Sequence, residues 1–465
     1  MKIREKTVAE QRTEIFYKCV YLALCTFLIL LDTAVGKIAF VTFGITAIAV
    51  FFGRDDFVML NMVYLMPFAL IFKPSASATS FYTYLFLLYV AKQLIYGNKF
   101  SGYLFIFFVY LVAVQFLMHT FNALRSIKLF ANILFVYYAF RERDKYKKTD
   151  LYIAYIIGFT LASLIAFMNS NVFRIELYIG EIDYVGDKVR YSGLNPDCNF
   201  YSVNVVTALC LLIVLYQKKK LPNILLGGIA AILVFCAIST YSKSVLIMLV
   251  FPVYLFWWMN KKENKIVMQV IMVAAVIFFI VNLLAGKIDA LSTVLGRLEK
   301  GGGDLDALTT GRTRLWRIYL EYYSRHPFTT LFGFGLGSGL VLSGKASHNT
   351  YIDMIYYIGI VGEIWMFITV NSLSKERRDL TYKRQIINYS INIVIAIMYF
   401  FLPGLFDHQL PILLLLGFLL LEGDAKPLSL VERIGMEKRN NVRKRRTFED
   451  RSGDEYKEKW GAMNY

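Results

Sequence analysis

Long apolar runs alternate with short polar breaks along almost the whole chain. The runs fall near 15–31, 38–53, 57–72, 80–96, 102–118, 127–140, 151–168, 200–216, 221–239, 245–259, 266–285, 351–372, 386–402 and 410–422. A helix needs about 20 mainly apolar residues to cross the bilayer core, and in lipid its backbone must be satisfied within the helix. Several runs are short, and the last has the length of a re-entrant segment. The pattern therefore predicts an all-α polytopic integral membrane protein with 12–14 transmembrane helices, spanning residues 1–422 and followed by a basic tail, 423–465.

Charge orients the helices. Breaks 141–150, 217–220, 260–265 and 373–385 together carry 16 Lys and Arg, whereas 32–37, 73–79, 119–126, 240–244 and 403–409 carry 4. The positive-inside rule assigns the first set, and with it both termini, to the cytoplasm. Two long polar segments, 169–199 and 286–350, are then expected outside. Lys2, Arg4, Lys6 and Arg12 precede the first apolar run with no evident cleavage site, so that run is expected to be a retained span.

Composition adds exclusions. Of 465 residues 57% are hydrophobic, and the net charge is +17. Because the basic residues sit in short breaks and the tail, they point to lipid headgroups rather than nucleic acid. The tail run 439–446 reads as a solvated strip beside anionic lipid. The tail contains no P-loop or dinucleotide fingerprint, so a pump driven by nucleotide hydrolysis is not expected. Five cysteines, with only Cys198 in a predicted loop, suggest no disulfide framework.

The chemistry is expected in the two external segments. In 169–199, alternation at Phe173, Ile175 and Tyr178 suggests a strand or hairpin lying on the membrane. Asn195-Pro196-Asp197 then signals a turn before the next span. Arg190, just upstream, suits either a headgroup anchor or a phosphate ligand.

In 286–350, Gly301 to Gly303 and Asp304-x-Asp306 read as a flexible acidic turn. A metal site there is disfavoured, because nucleotide-sugar donors are cytoplasmic. Thr309 or Thr310 is placed to cap a helix starting near Gly311. Leu315, Ile318, Tyr319 and Tyr322 share one face of that helix, and Arg314, Arg317 and Glu321 another, so an amphipathic interfacial helix is predicted. Arg312 falls in its first turn, where the helix dipole disfavours a cation unless an anion is bound.

His326 before Pro327 reads as a helix exit. The run G-F-G-L-G-S-G (333–339) reads better as a tight re-entrant turn than as a phosphate cradle. His348-Asn349 comes immediately before the span 351–372, at the membrane lip. Within the spans, Lys92 is near a cytoplasmic end and can snorkel. Glu363 is near mid-span, where an ionisable group flags function.

Taken in order, R-Y-S-G-L-N-P-D-C-N (190–199), Y-S-K-S (241–244), T-G-R-T-R-L-W (310–316), G-F-G-L-G-S (333–338) and H-N-T-Y-I-D (348–353) resemble the O-antigen ligase and Wzy-type polysaccharide polymerase superfamily. The resemblance covers about 190–370. It implies metal-independent, inverting glycosyl transfer from a polyprenyl-diphosphate-linked sugar, outside the bacterial cytoplasmic membrane. His348 would be the catalytic base, and Arg190, Arg312, Trp316 and Asn349 would bind substrate, with no cofactor. Partners implied are lipid-linked oligosaccharide donor and acceptor, membrane lipids, a flippase and a chain-length regulator.

Three functions remain open from sequence. They are a polymerase of lipid-linked repeats, a ligase moving a finished glycan to an acceptor such as a lipid A core, and a flippase or transporter. A transporter is disfavoured because no repeat relates the two halves.

Overall fold

The computed structural model describes residues 8–35, 38–73, 80–98, 101–168, 184–185, 188–189, 191–195, 197–240, 242–260, 306, 311–338, 347–375, 386–402 and 404–422. The chain divides into Met1–Gly423 and Asp424–Tyr465, and the second unit lies outside the described residues. So do the apolar run 266–285, the alternating residues 173–178, and Asp304.

The described part of the first unit is helical apart from a hairpin of β1 (Tyr184–Val185) and β2 (Lys188–Val189). In chain order the helices are α1 (Val8–Val35), α2 (Ala39–Phe52), α3 (Asp55–Leu65), α4 (Tyr82–Ile95), α5 (Gly102–Leu117), α6 (Ala123–Arg141), α7 (Lys148–Met168), α8 (Cys198–Gln217), α9 (Asn223–Ile238), α10 (Lys243–Asn260), α11 (Arg312–Arg325), α12 (Pro327–Phe332), α13 (Thr350–Lys375), α14 (Ile386–Met398) and α15 (Leu410–Glu422).

Among the described residues, five helices are long and apolar enough to cross a membrane: those containing Thr13–Asp32, Ala123–Arg141, Lys148–Phe167, Cys198–Gln217 and Thr350–Thr369. The remaining apolar helices are shorter. Exposed Phe16, Val20, Leu24 and Phe27 on α1, Phe105, Ile106 and Val109 on α5, and Phe367 and Ile368 on α13 form the surface that lipid covers. In water so many exposed large apolar side chains would be a liability. The protein is a multi-pass helical membrane protein.

Two predicted spans are interrupted, each for a local reason. The run 57–72 forms a helix only to Leu65, because Pro67 has no N–H to continue the ladder. The chain then passes through a 3₁₀ turn, Met66–Phe68, that is buried in protein, where irregular backbone at membrane depth is tolerated.

The second interruption is Gly359 in α13, with φ 71° and ψ 171°. This kink releases the carbonyls of the preceding turn, and other groups take them up. Phe334 N–H donates to Tyr356 at 2.8 Å and Gly335 N–H to Tyr357 at 3.0 Å. The Tyr110 hydroxyl lies 2.8 Å from the Ile358 carbonyl. The glycine run thus repairs a broken helix, and these N–H groups are not open to a phosphate.

Close approach explains the glycines. A Cβ on Gly335 (φ +86°) would meet Thr120 Oγ1 at 2.2 Å, and one on Gly359 would meet Gly333 N at 2.4 Å. Either alanine variant is expected to lose about 1–3 kcal/mol. Thermal melts in detergent should show a clear drop for both. Gly44→Ala, which meets nothing within 4 Å, should show none.

α8 is the hub: it is buried along nearly its whole length and packs on α7, α9, α10 and α14. A second apolar cluster joins α5, α11 and α13 through Phe107, Tyr319, Tyr323, Tyr356 and Tyr357. At the Arg141 end of α6, Lys18–Asp56 (3.0 Å), Lys92–Asp55 (2.9 Å) and Lys145–Asp55 (2.9 Å) form an ionic belt. Lys92, near a span end from which it could snorkel, is turned inward. It is buried, and its charge is satisfied by Asp55 and the Gly53 carbonyl.

Candidate functional site

At the Ala123 end of α6, five polar segments meet. Thr120 donates to the Phe334 carbonyl at 2.7 Å, tying the α5–α6 turn to the glycine run. Thr350 N–H donates to the Tyr399 carbonyl at 3.0 Å, and Gly404 N–H donates to Thr350 Oγ1 at 2.7 Å. The start of α13 is therefore locked to the α14–α15 turn. Gln409 in that turn bonds Asn195 through its side-chain amide, which brings in the segment before α8.

His348 lies in the three-residue approach to α13 and adopts a left-handed backbone, φ 53°. Histidine enters that region more readily than bulky residues, and strained backbone concentrates at functional sites. The geometry alone does not single it out, since His119 and Lys219 also have positive φ.

The neighbours of His348 hold its loop. Ser347 Oγ donates to Asp353 Oδ1 at 2.5 Å and accepts the Asn349 N–H at 3.0 Å. Asn349 Oδ1 accepts from the N–H groups of Tyr351 (3.0 Å) and Ile352 (3.1 Å), so this buried residue caps α13. Its side-chain oxygen is thus engaged in the cap, immediately beside His348.

Trp316 supplies the link to the amphipathic helix. Its indole N–H donates to the Ser347 carbonyl at 3.0 Å, and its ring meets those of Phe400 and Phe401. Arg312 lies one turn earlier on the same face of α11, about 6 Å along the axis. The helix starts at Arg312 after Gly311, which has φ 82° and no side-chain cap. Asp306 accepts from the Thr313 hydroxyl and so braces this start. Thr309 and Thr310, the expected caps, lie outside the described residues.

α11 is rotated from the face expected. Its buried residues are Tyr319 and Tyr323, whose hydroxyl donates to the Ile352 carbonyl at 2.7 Å, while Leu315, Ile318 and Tyr322 are only part-buried. The seam runs through Trp316, Tyr319 and Tyr323 at coiled-coil-like spacing, a pattern also present in the sequence. Arg314, Arg317 and Glu321 are exposed, as expected. Burial and the nearby Asp353 carboxylate push the Tyr319 phenol up, so it stays protonated and is no base at ordinary pH.

Arg190 lies outside the described residues, but its neighbour Tyr191 is anchored. Tyr191 N–H donates to the Ser239 carbonyl at 3.1 Å, and its ring stands edge-on to Tyr201. From Tyr191 the chain turns through Asn195 to Cys198, which begins α8 rather than ending a loop. Ser242 of the Y-S-K-S run donates to Asn199 Oδ1 at 2.9 Å.

Of the other histidines, His326 ends α11, with its N–H donating to the Tyr322 carbonyl at 3.1 Å. His408 is part-buried, with Nδ1 3.6 Å from Asp407 Oδ1. Burial, with Lys73 and Lys128, pushes its imidazole down, and Asp407 only partly offsets this. Among the described residues no three His, Cys, Asp or Glu side chains cluster as metal ligands. The five cysteines are free thiols.

The helical bundle and this polar end define a membrane-embedded protein with a cation- and histidine-bearing site beside a capped helix. Residues 228–367 match the family model described as O-antigen ligase. Over this segment, under a third of the chain, the protein is similar to the O-antigen ligase family, whose general chemistry is glycosyl transfer from lipid-linked glycans. Arg312, Trp316, His348 and Asn349 fall inside the matched segment, and Arg190 precedes it. No curated protein matches the chain.

Proposed function

We propose that the protein polymerises polyprenyl-diphosphate-linked oligosaccharide repeats into a surface polysaccharide at the outer face of the bacterial cytoplasmic membrane. The observation that carries this reading is the Trp316–Ser347 hydrogen bond. It couples the helix bearing Arg312 to the loop bearing His348, so that a diphosphate and an acceptor hydroxyl can be held side by side.

In the proposed reaction the acceptor oxygen attacks the anomeric carbon of the donor sugar from the face opposite the diphosphate. His348 takes the hydroxyl proton, and a near-neutral imidazole suits that task. The bond from the anomeric carbon to the diphosphate oxygen breaks, and its electron pair leaves with the lipid diphosphate. Arg190 and Arg312 match the charge that develops there, with bidentate contacts that a point charge does not make. Trp316 and Asn349 contact the substrate beside the base, and Trp316 also steadies the loop through the Ser347 carbonyl. No step requires a metal. A flippase would supply the lipid-linked repeats outside, and a chain-length regulator would act on the product.

The ligase reading uses the same residues, and the description of the matched family favours it. Purified protein given a single lipid-linked repeat as its only substrate separates the two. A polymerase is expected to yield a ladder of lipid-linked multiples on gels. A ligase would leave the repeat unextended until a separate acceptor is added.

A further inference from the structure

The turn 404–409 gathers charges that the proposed reaction leaves unused. Arg125, Lys128 and Asn132 recur at three- and four-residue steps and so share one face of α6. That face packs on the turn: Asn132 Nδ2 donates to the Asp407 carbonyl at 3.3 Å, and the Arg125 guanidinium lies 5.9 Å from the centre of the Phe406 ring. From the other side, the Tyr82 ring at the start of α4 is 6.1 Å from that of His408. A bond from Phe81 N–H to the Phe72 carbonyl, 2.9 Å, brings Lys73 alongside. The charged groups acting on His408 are accordingly Asp407, Lys73 and Lys128, and Lys128 in turn feels Arg125 and Lys73.

Lys73, Arg125 and Lys128 are each part-buried, which strengthens their mutual repulsion relative to open water. The one acidic group acting on His408, Asp407, already accepts from the Tyr399 hydroxyl at 2.9 Å and the Gln409 N–H at 3.1 Å. His408 Nε2 is buried without a hydrogen-bond partner among the described residues, an arrangement with a cost that a bound acceptor would remove. Arg125 spends one of its donors on the Leu336 carbonyl at 2.8 Å and keeps others on the guanidinium fork.

We propose that Lys73, Arg125 and Lys128, with His408 Nε2, form a second anion site that takes the phosphate groups of a lipid headgroup. The assignment deepens the polymerase reading and rests on it for one point: both substrates of a polymerase carry a lipid diphosphate, and Arg190 and Arg312 account for only one. An anionic phospholipid presents the same phosphate oxygens, so the experiment must separate the two sources.

The test uses full-length protein in phosphatidylcholine nanodiscs, with tritiated farnesyl diphosphate as the probe and bound equivalents counted at saturation. Wild type is expected to bind two equivalents. The double variant Lys73→Gln/Lys128→Gln should bind one, and Lys73→Arg/Lys128→Arg, which keeps the charge, should bind two. Arg190→Gln/Arg312→Gln should also bind one. If it binds two, the catalytic reading fails while the lysine site stands.

Replacing part of the phosphatidylcholine by phosphatidylglycerol identifies the source. Displacement of the lysine-dependent equivalent supports a phospholipid phosphate site, and its retention supports a site for a diphosphate-linked substrate. Two equivalents in the glutamine pair would overturn the proposal. So would equal loss in the glutamine and arginine pairs, because packing rather than charge would then explain the effect.

Discussion

His348→Asn is expected to slow glycosyl transfer about 10²–10⁴-fold, the usual cost of losing general-base help, with donor binding near wild type. Asparagine is the informative replacement because His348 sits at φ 53°, a conformation that asparagine tolerates better than most residues. The loop and its Ser347–Asp353 bond should then persist, and the loss can be assigned to the imidazole. The donor's diphosphate contacts, assigned to Arg190 and Arg312, are left in place.

His119→Asn, which makes the same exchange at another left-handed position, is expected to retain activity, as is Asp304→Ala. EDTA should leave wild-type rates unchanged. The measurement is the initial rate with purified protein and lipid-linked donor, beside donor binding by the same preparations. Full activity of His348→Asn would remove the base from the mechanism. Inhibition by EDTA that manganese reverses would remove its metal independence.

Arg312→Lys and Arg190→Lys should each lower kcat/KM by about 10²–10³-fold, the scale of removing one preorganised stabiliser of developing charge. Lysine preserves the charge but not the planar fork that grips a phosphate at two points. For Arg312 there is also a positional reason: it is the first residue of α11, where the helix dipole favours a bound anion and disfavours a lone cation. Its distance from the base is fixed through Trp316, one turn along, which holds Ser347. Near-normal rates for both lysine variants at equal expression would reduce the arginines to lipid anchors.

The membrane class was legible because runs of about 20 apolar residues leave few alternatives in lipid. Helix ends were legible less often. Pro67 sits inside an apolar run that hydropathy reads as continuous, and only its missing N–H shows why α3 stops at Leu65. Lys92 was ambiguous, because snorkelling and burial leave the same sequence signature. The deciding partner, Asp55, is 37 positions away in the chain and 2.9 Å away in space.

The local sequence alone determined that Arg312 would open an amphipathic helix, that a tight glycine turn would follow, and that His348-Asn349 would precede an apolar span. Periodicity, turn chemistry and span length act over a few residues, so they can be read without a fold. What each local feature is for was decided by contacts between distant segments. The glycines serve the carbonyls released at Gly359, Asn349 caps α13 while Trp316 grips Ser347, and Lys73 and Lys128 both act on His408. Such pairings depend on which broken or capped backbone groups come to face one another when the helices pack. That is a property of the assembled bundle, because buried hydrogen-bonding groups must find partners wherever the fold brings them.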